Sequence, residues 1–145
     1  MGRTSTRLAE ESGRVGSSLE TSTEGIMART EEREQFLSDV VTIALEGGIN
    51  YWADYRNYRN YQWGKGPTSV EIKDMECGMP SPWRNISHAS IERGIKAIAS
   101  GKVRFSAEIM GWILAGSALD DAGEIDATAA DCIIQAAMFG EIVYG

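Results

Sequence analysis

The sequence predicts an α+β fold: one β-hairpin or small antiparallel sheet packed against about four helices. Apolar residues recur at helical spacing in four separate capped segments. Two short alternating segments, around residues 49–56 and 69–74, flank the turn signal Gly64-Lys65-Gly66-Pro67. An isolated hairpin is marginal in water, so its apolar face needs the helices as cover.

Residues 1–29 are rich in Ser, Thr, Gly, Arg and Glu and hold few large apolar side chains. Such a segment cannot bury enough surface to offset its ordering entropy, so it is expected to be a flexible arm preceding a single domain over 30–145. The first helix is expected to start near Thr30 as its cap, with Glu31 and Glu32 favoured by the helix dipole. Phe36, Leu37, Val40, Val41 and Ala44 form its apolar stripe, and Gly47 is placed as a left-handed stop.

Next comes the most aromatic stretch of the chain, Leu45 to Trp63, with four of the five tyrosines and two of the four tryptophans. Ile49, Tyr51, Ala53 and Tyr55 alternate, which suits a strand over 49–56 with Trp52 and Arg56 on its other face. Trp52, Tyr55, Tyr58 and Tyr61 instead recur every third residue, with the triplets Asp54-Tyr55-Arg56, Asn57-Tyr58-Arg59 and Asn60-Tyr61-Gln62, a period that fits neither strand nor helix. Val70 and Ile72 alternate with charge on the return strand, Ser69–Asp74.

Residues 75–85, with Gly78, Pro80 and Pro82, read as a loop from which Trp83 packs down. Ser87 caps the second helix, with Ile86 and Ile91 as a hydrophobic staple and Ile91, Ile95 and Ile98 as its buried stripe. Ser106 caps the third, with Phe105 and Met110 as the staple and Met110, Ile113 and Leu114 turned to the core. Asp126 caps the fourth, whose stripe is Ile133, Ile134, Ala137 and Met138. The last residues, Phe139 to Gly145, are apolar enough to dock.

Composition narrows the function. The net charge of −7 lies wholly in residues 106–145, which hold seven acids and no Lys or Arg. That field repels phosphate and argues against double-stranded DNA. The second and third helices have helix-turn-helix spacing, yet the third carries Glu108 and no basic residue. No apolar run is long enough to cross a membrane, and no secretory h-region follows Arg3 and Arg7. Cys77 and Cys132 are expected to be reduced thiols.

Catalytic and metal motifs are missing. The single histidine, His88, follows a helix cap and reads as a surface residue, with no C-x-x-C or H-x-x-H spacing around it. Asp120, Asp121, Glu124 and Asp126 do not follow a calcium-loop pattern. No P-loop, dinucleotide fingerprint or G-x-S-x-G is present. No metal, cofactor or catalytic residue is therefore assigned, and a binding module is favoured over an enzyme.

Aromatic faces stack on bases, and Arg stacks on aromatics and forks onto phosphate. Tyr51, Trp52, Tyr55, Arg56, Tyr58, Arg59 and Trp63 are accordingly the candidate ligand residues, for a nucleotide-like small molecule. The competing reading of the same residues is a packed hairpin with one aromatic face in the core.

Leu45-Glu46-Gly47-Gly48-Ile49-Asn50-Tyr51-Trp52, the Tyr-rich continuation, Asp126-Ala127-Thr128-Ala129-Ala130-Asp131 and Phe139-Gly140-Glu141-Ile142-Val143-Tyr144-Gly145 together resemble segments of small proteins from bacteriophages that infect actinobacteria. The resemblance covers roughly residues 31–145 and implies a phage accessory protein acting in the host cytoplasm. It supplies no mechanism. The expected role is binding of a nucleotide-like ligand, such as a host defence signal, or of a host protein. The competing class is an interaction module whose acidic C-terminal face meets a basic partner, in the manner of a nucleic-acid mimic. The sequence leaves homo-oligomerisation open.

Overall fold

The computed structural model describes residues 29–60 and 65–145. The expected flexible arm, apart from Arg29, lies outside the described residues. Among these the order is helix α1 (Glu31–Ile43), a π-helical turn (Ala44–Gly48), strands β1 (Ala53–Arg59), β2 (Ser69–Asp74) and β3 (Arg84–Ser87), then helices α2 (His88–Ala99), α3 (Ala107–Leu119) and α4 (Ala127–Phe139). The described residues form an α+β fold, a three-stranded antiparallel sheet in the order β1-β2-β3 with four helices.

Phe36, Leu37, Val40 and Val41 of α1 are buried, as the stripe predicts. Gly47, however, does not stop the helix with a positive φ. The helix widens instead: Ile49 N–H donates to Ala44 O, five residues back, at 3.0 Å. Gly48 is the residue that needs to be glycine, because a Cβ there would lie 2.8 Å from Ala127 O on α4. Close approach to a second helix, not chain reversal, explains Gly48.

The strand expected over 49–56 begins four residues later, at Ala53. Residues 49–52 are a turn in which Ala53 N–H donates to Ile49 O at 2.9 Å. This changes the face assignment: Trp52 is 1% exposed in the core, while Arg56 is exposed, so the two do not share a face. The triplet repeat also has a structural counterpart. Asn57 and Asn60 both adopt left-handed backbone, φ 54° and 55°, and the β1–β2 register slips between Arg56 and Arg59. Asn tolerates that conformation better than most residues, so the repeat places a bulge where alternation fails.

β2 pairs with β1 as Tyr55↔Ile72 and Arg56↔Glu71, and with β3 as Val70↔Ile86. The inward residues Val70, Ile72 and Ile86 are all buried. β3 takes the last two residues of the expected loop and runs directly into α2.

The caps predicted for α2, α3 and α4 hold. Ser87 and Ser90 make a reciprocal capping box on α2, Ser106 accepts from Ile109 N–H on α3, and Asp126 accepts from Ala129 N–H at 2.8 Å on α4. His88 differs from expectation. It is 8% exposed, with Nε2 2.9 Å from Ser38 Oγ on α1, because β3 delivers the first turn of α2 to the α1 side of the core. Helices α2 and α4 touch at Gly94, where a Cβ would lie 2.7 Å from Ile133 O. Arg33 fixes α1 to α2 and α3 by donating to Glu92, Asp120 and the Ser117 carbonyl. No helix of the described residues is long and apolar enough to cross a membrane.

Candidate functional site

The N-terminal half of α4 carries Asp131, a carboxylate only 5% exposed. A buried charge must be hydrogen-bonded to be tolerated. Asp131 Oδ1 accepts from Trp52 Nε1 at 2.8 Å and from Gln135 Nε2 at 2.9 Å, and Oδ2 accepts from the Tyr51 hydroxyl at 2.6 Å. Helical spacing puts Asp131 and Gln135 on one face. The turn after the π-helix presents Tyr51 and Trp52 to them.

Gln135 in turn holds the end of the chain. Its Oε1 accepts from Val143 N–H at 2.7 Å and Tyr144 N–H at 2.9 Å, and its Nε2 donates to Tyr144 O at 3.0 Å. The docked strap lays the Tyr144 ring on Trp52, with centroids 5.4 Å apart and planes 20° apart, and Phe139 tilts against the same indole. The Tyr144 hydroxyl donates to Asp74 at the end of β2, 2.9 Å away. Arg84 of β3 donates to the Met138 carbonyl near the C-terminal end of α4.

Beside this network lies a cleft of about 440 Å³. Tyr51, Thr128 and Asp131 supply polar groups, with Ser106 at the rim. Phe105, Ile109, Ile142 and Tyr144 supply apolar walls, and Gly47 and Gly48 leave one side open. Among the described residues, no Lys or Arg lines it. Desolvation, followed by the hydrogen bond to Asp131, raises the pKa of the Tyr51 hydroxyl, which therefore stays protonated as a donor. Cys132 also borders the cleft. Burial, with the nearby charges of Asp131 and Asp126, pushes its thiol up to about 11, so it is not a thiolate nucleophile at neutral pH.

The six described residues of the seven predicted to bind ligand do not form one surface. Trp52 is a core residue and Tyr51 belongs to the cleft. Tyr55 is half-buried against the core, with the exposed Tyr58 tilted beside it at 6.5 Å. Arg56 and Arg59 lie exposed on the hairpin. Arg56 is engaged with Glu71 at 2.7 Å and with the Trp83 ring at 4.1 Å. Trp63 lies outside the described residues.

Sequence reasoning did not pick out Asp131, Gln135, Thr128 or Tyr144 as site residues. Asp131, Thr128 and Tyr144 lie in two segments quoted above, which meet the Leu45–Trp52 segment here; Gln135 lies in neither. Among the described residues, no group of three or more His, Cys, Asp or Glu side chains is placed to hold a metal ion. No protein-family model, curated protein or solved structure matches the chain.

Proposed function

We propose that this protein is a small, non-enzymatic binding module of an actinobacterial bacteriophage, and that the cleft beside Tyr51 and Asp131 receives a nucleotide-like ligand. The observation that carries the reading is the cleft itself. It falls within the roughly 300–1,000 Å³ typical of small-molecule sites, with mostly apolar walls and a few convergent polar groups. The lining favours the base and sugar over the phosphate. Asp131 is an acceptor beside aromatic walls, and among the described residues no cationic side chain lines the cleft to meet an anion. A planar ring bearing N–H donors fits that chemistry. Holding such a molecule without turning it over is sequestration, the role expected of an accessory protein directed at a host defence signal. The phage setting rests on the segment resemblance.

Calorimetric titration with nucleosides, nucleotides and cyclic nucleotides tests the site, run beside Gly47→Trp. A Cβ at Gly47 meets nothing within 4 Å, so the indole can fill the open side of the cleft without entering the core. Binding by the wild type and loss in Gly47→Trp, with unchanged melting, is the expected result. No binding of any nucleoside or nucleotide rejects the reading.

A second reading has its own observation. Glu108, Asp121, Glu124, Asp126 and Glu141 are all exposed, and no Lys or Arg follows Arg104. An acidic face of this kind suits a basic host protein, and a salt-sensitive complex that Gly47→Trp leaves intact would select it.

A further inference from the structure

Helix α3 is apolar nearly all round: Glu108 is its one charged residue. A helix of that composition is ordinarily buried, yet only Ile113 and Gly116 of α3 are fully buried. Gly111, Ala115, Ala118 and Leu119 are exposed along one side, Leu119 at 75%, with Trp112 half-buried at the edge. A Cβ on Gly111 would meet nothing within 4 Å. The flanks differ in sign. Lys102 and Arg104 are exposed just before the helix, and Asp121 and Glu124 are exposed just after it.

We propose that this face is an interface with a second copy of the same chain, in which two α3 helices pack antiparallel about a two-fold axis near the level of Ile113. The charge pattern selects this occupant. Antiparallel pairing sets Lys102 and Arg104 of each copy beside Asp121 and Glu124 of the other, at the negative end of its helix dipole. Parallel pairing would set like charges together at both ends. Gly111 then meets Ala115 of the second copy, and these small side chains allow close helix approach while Leu119 and Trp112 cover the seam. A two-fold interface of this kind is self-complementary, as the patch requires. One helix pair lies at the low end of interface sizes, about 1,200 Å² or less, so association is expected to depend on protein concentration.

Sedimentation velocity across a concentration series tests the proposal on the full chain. The wild type should shift from monomer to dimer as concentration rises. Ala115→Glu should stay monomeric, its dissociation constant raised at least about tenfold, the scale of truncating one central interface residue. Leu119→Lys at the most exposed position should do the same, and it covers the case in which Ala115→Glu unfolds. Lys102→Glu with Arg104→Glu should weaken the dimer, and adding Asp121→Lys with Glu124→Lys should restore it. A wild type that remains monomeric into the hundreds of micromolar overturns the proposal. So does a dimer that survives both Ala115→Glu and Leu119→Lys, or a four-fold charge exchange that fails to restore association.

Discussion

Trp52 and Asp131 are 79 residues apart in sequence and 2.8 Å apart in the fold, indole Nε1 to carboxylate Oδ1. Trp52 is 1% exposed, so its indole N–H has no water as an alternative partner. Trp52→Phe keeps a ring against Tyr144 and Phe139 but removes the donor. The expected loss is about 1–3 kcal/mol, the cost of leaving a buried polar group short of a partner. Asp131→Asn turns one oxygen into a donor facing other donors and should cost at least as much. Urea denaturation of both single mutants and the double mutant checks the coupling. The double mutant should lose less than the sum of the singles, because both remove the same bond.

Gln135 makes three hydrogen bonds to the backbone of the terminal strap. Gln135→Ala should release that strap and uncover the Trp52 indole. Carboxypeptidase digestion followed by mass spectrometry should show residues 141–145 trimmed from the variant and retained in the wild type. Deleting 139–145 outright should lower the melting temperature by several degrees, since losing a large buried side chain costs ~2 kcal/mol or more.

Two glycines on helices should respond in opposite directions to alanine. Gly94→Ala places a methyl 2.7 Å from Ile133 O and 3.1 Å from Ala137 N, backbone atoms that cannot swing aside. It should destabilise by about 1–3 kcal/mol, the usual cost of overpacking. Gly111→Ala adds a methyl in open space on α3 and should stabilise by roughly 0.5–1 kcal/mol through helix propensity. Thermal melts at low protein concentration separate the two.

Stability should decline in alkali. Burial and the charges of Asp131 and Asp126 raise the Cys132 thiol from near 9 to about 11. Desolvation and the bond to Asp74 raise the Tyr144 hydroxyl from near 10 to about 12. In both cases the folded state holds a proton that the unfolded state has released. The stabilisation is therefore complete below about pH 9 for Cys132 and about pH 10 for Tyr144, and it is lost as pH climbs through the folded values. Denaturation midpoints from pH 7 to 12 should fall along this curve. Cys132→Ser should flatten its lower part and Tyr144→Phe its upper part. At neutral pH a maleimide should label the exposed Cys77 and spare Cys132 until the chain unfolds.

The sequence by itself determined the features set by local chemistry. Ser87, Ser106 and Asp126 cap their helices because a side-chain oxygen reaches the first free N–H groups wherever the chain turns helical. Val70 and Ile72, and Ile91, Ile95 and Ile98, face inward because the period of the backbone fixes the face. Tertiary structure alone decided the rest. Gly47 looked like a helix stop, but the position that must be glycine is Gly48, and that need comes from Ala127 across the core. His88 looked exposed until α1 brought Ser38 beside it. The aromatic stretch divided between core, cleft and hairpin because a π-helical turn delays the strand to Ala53, and no local pattern announces one extra residue in a helical turn. Asp131 and Gln135 read as ordinary polar positions on a helix. Their function as acceptor and clamp depends on partners up to 80 residues away, and hydrogen bonds across that separation leave no period in the sequence.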